Sequence, residues 1–105
     1  MTNENKIQLN DRIFVAGASG MAGSSIVRSL IRKGYGNEIN NGKLLTPSHQ
    51  ELELQDIVSV KSWFKVNQPT IVILAAAKVG GIIANKNHPA SFLLENLKIQ
   101  NNIIE

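Results

Sequence analysis

Three glycines at a spacing of three, Gly17, Gly20 and Gly23, stand between an apolar run and an amphipathic one. The run before them, Ile13-Phe14-Val15-Ala16, is too short for a helix and rich in β-formers, so it reads as a buried strand. The segment after them, residues 21–33, puts Ala22, Ile26, Val27, Leu30 and Ile31 on one helical face. Arg28, Arg32 and Lys33 lie off that face, the last two in the final turn, where a cation suits the helix dipole. Gly34 and Gly36 supply the stop. A strand that bends through glycines into a helix suits an anion. Gly17 permits the tight exit, Gly20 lets the backbone approach a phosphate, and Gly23 lets the helix pack close to the sheet. Free N–H groups of the first helical turn then face the charge. Residues 13–34 therefore predict a cradle for the pyrophosphate of a nicotinamide dinucleotide.

The rest of the chain alternates in the same way. After a turn-rich connection at 36–42, Lys43-Leu44-Leu45-Thr46 reads as a second strand ended by Pro47. The alternation Leu52-Glu53-Leu54 suggests a short third strand, with Glu51 and Glu53 on its solvated face. Asp56 is a good N-cap for a helix carrying Ile57, Val60 and Phe64 at helical spacing, with Trp63 and Val66 nearby. Trp63 and Phe64 read as core or interface, and Met21 as packing at the start of the first helix. Pro69 closes the second helix. Thr70 to Ala77 is apolar on both faces, as a central parallel strand should be. Residues 78–88 read as a loop, with His88 as a turn residue, and Pro89 opens a last helix through Phe92, Leu93, Leu97 and Ile99. The expected fold is α/β: a Rossmann-like parallel sheet with helices on both faces, here its truncated amino-terminal part. Residues 1–11 are expected as a flexible polar leader and residues 12–105 as a partial dinucleotide-binding domain. The strand over 70–77 is expected at an open sheet edge.

Composition narrows the function. The net charge of +3 comes from scattered lysines and arginines rather than a basic run, which argues against a nucleic-acid partner. The absence of cysteine removes disulfides, thiolate metal sites and a cysteine nucleophile from this chain, and no metal site is expected. No apolar run approaches the ~18 residues that span a bilayer, and the start lacks a signal-peptide core. The expectation is a cytoplasmic protein without a membrane partner.

A more specific signal follows the strongest strand: Leu74-Ala75-Ala76-Ala77-Lys78-Val79-Gly80-Gly81-Ile82. Together with Arg12-Ile13-Phe14-Val15-Ala16-Gly17, Gly20-Met21, Gly23-Ser24 and Asn101-Asn102-Ile103-Ile104, it resembles the GDP-L-fucose synthases. That family sits in the extended branch of the short-chain dehydrogenase/reductase superfamily. The resemblance covers residues 12–105 and corresponds to the amino-terminal third of such an enzyme. It implies an epimerase-reductase that uses NADPH to convert GDP-4-keto-6-deoxy-mannose to GDP-L-fucose, working as a homodimer when intact.

Carried over by position, the resemblance implies that Gly17, Ala18, Ser19, Gly20, Met21, Ala22 and Gly23 hold the pyrophosphate. His49, Gln50, Glu51, Leu52, Glu53 and Leu54 pass beside the adenosine, with Glu53 accepting from the adenine amine and the Leu54 backbone against the base. Ala75, Ala76 and Ala77 line the floor under ribose and nicotinamide. The loop of Lys78, Val79, Gly80 and Gly81 faces the sugar nucleotide. The family usually has arginine at the Ser19 and His49 positions, both near the 2′-phosphate of NADPH, so two strong cations are missing here. Yet Thr46-Pro47-Ser48-His49 also lacks the acid that NAD-specific proteins place at the end of the second strand. Ser19, Ser48 and His49 are left as hydrogen-bonding groups for a phosphate, and the reading favours NADP, with NAD possible.

No catalytic residue is named. Reduction in this superfamily uses a Tyr-x-x-x-Lys pair. The single tyrosine, Tyr35, is followed four residues on by Ile39, and the family's pair lies downstream of this segment. The isolated 105 residues are expected to be inactive as a reductase. Two alternatives stay open: an extended reductase, epimerase or dehydratase for a different nucleotide sugar, and a nucleotide-binding module without catalysis.

Overall fold

The computed structural model describes residues 7–18, 20–48, 50–75, 83–86, 88–91 and 93. The apolar run forms β1 (Arg12–Ala16), and the glycine turn leads into α1 (Met21–Arg32). A single 3-10 turn (Glu38–Asn40) precedes β2 (Lys43–Leu45). Next come α2 (Ile57–Asn67), β3 (Ile71–Leu74) and β4 (Ile83–Asn85), and residues 89–91 and 93 are helical.

Helix ends follow the sequence signals. At the end of α1, Gly34 takes φ 86°, the Gly34 amide donates to the Ile31 carbonyl (3.1 Å), and the Tyr35 amide reaches the Leu30 carbonyl (2.9 Å). This pair of bonds is a Schellman cap, and Tyr35 packs into the same apolar cluster as Leu30. Asp56 caps α2: its Oδ1 accepts from the amides of Val58 (3.1 Å) and Ser59 (3.3 Å).

The sheet order is β2-β1-β3-β4. β1 lies parallel to both β2 and β3, with Phe14 opposite Leu45 and Val72. The crossover through α1 moves one way from β1, and the crossover through α2 moves the other way. Right-handed connections in opposite directions land on opposite faces. Alternation along the strands supplies a core for each. Ile13, Val15, Ile71 and Ile73 face α1 and meet Leu30, Ile26 and Val27. Phe14, Ala16, Val72 and Leu74 face α2 and meet Val60, Phe64, Leu52 and Leu93. Phe14 anchors the second core, its ring 4.6 Å from Trp63 and 5.8 Å from Phe64.

Several expectations change. Residues 52–54 are not a strand. Glu51 and Leu52 donate to the Ser48 carbonyl (3.1 and 2.9 Å), so the chain turns there. The loop expected over 78–88 contains β4, antiparallel to β3, and β3 is therefore interior rather than at an open edge. The apolar stripes are narrower than the periodicity implied: Ala22, Ile31, Ile57 and Val66 are exposed. Met21, expected to pack, is 92% exposed.

The polar stretch before β1 joins the fold from Ile7, which packs on the α1-side core. Asp11 is 5% exposed at the N-terminal edge of the sheet. Its carboxylate accepts from the Gln8 amide (2.6 Å), the Thr70 hydroxyl (2.7 Å) and the Lys86 ammonium (3.1 Å). Burial pushes its pKa up, but these three donors outweigh burial and hold it below the usual 3.8. A depressed folded pKa adds stability above the unfolded value and loses it as pH falls through the folded one. An Asp11→Asn variant should therefore be less stable than the parent at neutral pH, by about 1 kcal/mol. The gap should close as pH falls below 4 in urea unfolding, and a gap constant down to pH 2 would contradict this account.

Candidate cofactor-binding site

All three parallel strands end at the same edge of the sheet, and each exit carries residues singled out by the sequence. β1 delivers the glycine turn, β2 delivers residues 46–54, and β3 delivers Ala75, whose amide donates to the Ala16 carbonyl at 2.9 Å. β1 sends the chain towards β2, whereas β4 lies on the far side of β3. The crevice at such a divergence, outside the carboxyl ends of the strands, is where open α/β sheets bind ligands.

The three glycines of the turn have three different physical reasons. Gly17 has φ 85°, a left-handed conformation that disfavours a side chain. Its carbonyl accepts from the Gly20 amide at 3.1 Å and closes the turn. Gly23 is buried, and a Cβ there would overlap the Gly17 carbonyl oxygen and lie 2.6 Å from its carbon and 2.8 Å from Ala18 Cα. Gly20 has an ordinary φ of −77° and is exposed, and a Cβ there would make one normal contact of 3.5 Å. The protein's own packing thus demands glycine at 17 and 23 but not at 20. A missing side chain at 20 leaves room on the outside, where a ligand's phosphate would approach.

Gly20 is the N-cap of α1 and offers no side-chain acceptor, and the first turn holds no acid. The amides at the start of the helix keep their hydrogen-bonding capacity and partial positive charge for an external anion. Met21 and Ala22 are exposed beside this end, so the approach is open.

At the β2 exit, Ser48 and Glu51 bond reciprocally. The Ser48 amide and hydroxyl donate to Glu51 Oε1 (3.4 and 3.3 Å), and the Glu51 amide donates to Ser48 Oγ (3.3 Å). Ser48, expected as a hydrogen-bonding group for a phosphate, is engaged within the chain. Gln50, Glu51 and Glu53 are exposed, and Leu54 packs on the edge of the α2-side core. Leu52 is 3% exposed, so its side chain belongs to the core, and its amide is engaged by the Ser48 carbonyl. Ala75 is buried just past the end of β3. The structure therefore gathers Gly17, Ala18, Gly20 to Gly23, residues 50–54 and Ala75 at one edge. Ser19, His49, Ala76, Ala77, Lys78, Val79, Gly80 and Gly81 lie outside the described residues. The serine-glutamate pair is the feature that sequence reasoning missed, although Ser-x-x-Glu is itself a sequence signal.

The sequence pattern of the NAD dependent epimerase/dehydratase family matches residues 13–105. The chain belongs to that family. It is 48% identical over 93 residues to GDP-L-fucose synthase 1 of Arabidopsis thaliana and 42% identical over 93 residues to GDP-L-fucose synthase of Escherichia coli. Each match covers 89% of this chain and 27% of the relative, so the chain spans about a quarter of the length of the curated relatives it matches. Among solved structures, it is similar to MlghC, a GDP-mannoheptose C4 reductase from Campylobacter jejuni with NADP bound. That likeness has a TM-score of 0.61 and 28% identity, over 94% of this chain and 31% of the other. The resemblance read from the AAAKVGGI run and the glycine turn thus agrees with the relatives. Among the described residues, no helix is long and apolar enough to cross a membrane, and no group of His, Asp and Glu could hold a metal.

The glycines make a separable prediction. Gly23→Ala should push α1 off the turn and destabilise the fold by about 3 kcal/mol, the upper range for overpacking. Gly20→Ala should leave thermal stability near the parent's while weakening dinucleotide binding at least about tenfold. Equal melting temperatures for Gly23→Ala and the parent would contradict this division.

Proposed function

We propose that this chain is the cofactor-binding part of an NADP-dependent epimerase-reductase that converts GDP-4-keto-6-deoxy-mannose to GDP-L-fucose. The carrying observation is the acid-free helix N-terminus over the Gly17–Gly23 contact, set where the chain diverges between β1 and β3. It suits the pyrophosphate of a dinucleotide and brings both halves of that molecule onto the strand ends. When bound, the nicotinamide supplies the hydride for reducing the 4-keto group. The residues of this chain bind and orient. The first turn of α1 holds the pyrophosphate, Gln50, Glu53 and Leu54 flank the adenosine, and the small Ala75 leaves space over the end of β3. Ser19 and His49 contribute at the 2′-phosphate, Ala76 and Ala77 extend the floor, and Lys78, Val79, Gly80 and Gly81 face the sugar nucleotide. The proton-transfer groups belong to sequence beyond this segment.

The substrate assignment is supported by the AAAKVGGI run and by 48% and 42% identity to GDP-L-fucose synthases. NADP is supported by the NADP-bound relative and by the lack of an acid at 46–49. A cytoplasmic homodimer completes the proposal. A second reading, reduction of a different GDP-linked keto sugar, is favoured by the likeness to a heptose reductase.

With the full-length protein, GDP-4-keto-6-deoxy-mannose should drive oxidation of NADPH and yield GDP-L-fucose, and NADPH should bind more tightly than NADH. Tighter NADH binding would overturn the cofactor assignment. NADPH oxidation with a GDP-keto-heptose but not with the deoxyhexose would transfer the proposal to the second reading.

A further inference from the structure

The reciprocal pair Ser48–Glu51 has the bonding pattern of a capping box, yet it starts no helix. α2 begins only at Ile57 and has its own cap in Asp56. The pair lies on the surface and contributes nothing to either apolar cluster. It lies between two core anchors, Leu45 at the end of β2 and the buried Leu52. The backbone bonds from Glu51 and Leu52 to the Ser48 carbonyl and the side-chain bonds between Ser48 and Glu51 together hold Ser48 against Glu51 and Leu52. That segment leaves the sheet at the edge where the glycine turn sits, on the strand directly beside β1.

Resting on the dinucleotide reading above, we propose that Ser48 and Glu51 are positioning residues for the adenosine end of the cofactor. Their mutual hydrogen bonds hold the exit of β2 in its binding shape, so that Gln50, Glu53 and Leu54 need no ordering when the ligand arrives. Preorganisation of this kind improves affinity by lowering the entropy lost on binding rather than by adding a contact. Two consequences separate it from a general structural role. The effect falls on the adenosine half of the ligand, and glutamine at 51 preserves it, because an amide oxygen accepts the same two bonds from Ser48.

The test uses the full chain with Ser48→Ala, Glu51→Ala, Glu51→Gln and the double alanine variant. NADPH and adenosine 2′,5′-bisphosphate serve as probes. Each alanine variant should bind both probes about fivefold more weakly at an unchanged melting temperature. The double variant should lose no more than either single one, and Glu51→Gln should stay within about twofold of the parent. Unchanged affinity in Glu51→Ala would overturn the inference and leave the dinucleotide reading standing. So would a loss seen with NADPH but not with the bisphosphate. Tighter NADPH binding by Glu51→Gln would also overturn it, because charge repulsion would then be the dominant effect. A parent protein that binds neither NADPH nor NADH would remove the dinucleotide reading and this inference with it.

Discussion

The contact of the Gly23 backbone with the Gly17 carbonyl fixes how close α1 comes to the end of β1. No other residue type fits at 23 without moving one of the two elements. Because α1 is held there, its N-terminus stands over the carboxyl edge of the sheet, with Gly20 as an open cap. The open N-terminus of α1 at this edge is thus a consequence of packing. The same few atoms that seat the helix also aim its unpaired amides outward.

The sheet divides labour between its two edges. At the amino edge, about 17 Å away along β1, Asp11 ties the start of β1 to the start of β3 through Thr70 and to the end of β4 through Lys86. Arg12 adds to this edge, donating through Nε to the carbonyl of Asn67 at the end of α2 (2.8 Å). These groups are engaged with one another. At the carboxyl edge Gly20, Ala22 and Gln50 are exposed, and Ala75 is small. The polar side chains at one edge hold the strands in register, and the sparse chemistry at the other leaves space for a ligand.

Much of this was legible in the sequence, for physical reasons. Ile13 to Ala16 and Ile71 to Leu74 are apolar on both faces, and both strands are buried by helices on both sides. Gly34 and Asp56 mark helix ends because their backbone and side-chain chemistry is local. The failures arose where two local signals compete or where a long-range partner decides. Leu52-Glu53-Leu54 alternates like a strand, but Ser48 and Glu51 close a turn first, and the buried leucine reaches the core from that turn. Nothing local in Ile83–Asn85 announces a strand, since its pairing comes from β3. Helical spacing identified Val60 and Phe64 correctly but not the width of the buried stripe, which left Ile57 and Val66 in solvent. Burial of Asp11 depends on Thr70, 59 positions away. Of the candidate site, the backbone reasons for Gly17 and Gly23 were readable: a left-handed φ at the first and a close approach to the Gly17 carbonyl at the second. The pair that shapes the neighbouring loop was hidden by the strand-like pattern on top of it.

The account stands on one claim, that the carboxyl edge of this sheet binds a nicotinamide dinucleotide with its pyrophosphate at the start of α1. Amide resonances of the 15N-labelled protein, followed as NADPH is added, test it residue by residue. The largest shifts should fall on Gly20, Met21, Ala22 and Gly23, with smaller ones at residues 50–54 and Ala75, and none at Gln8, Asp11 or Thr70. Saturable shifts at the amino edge with an unmoved glycine turn would contradict it.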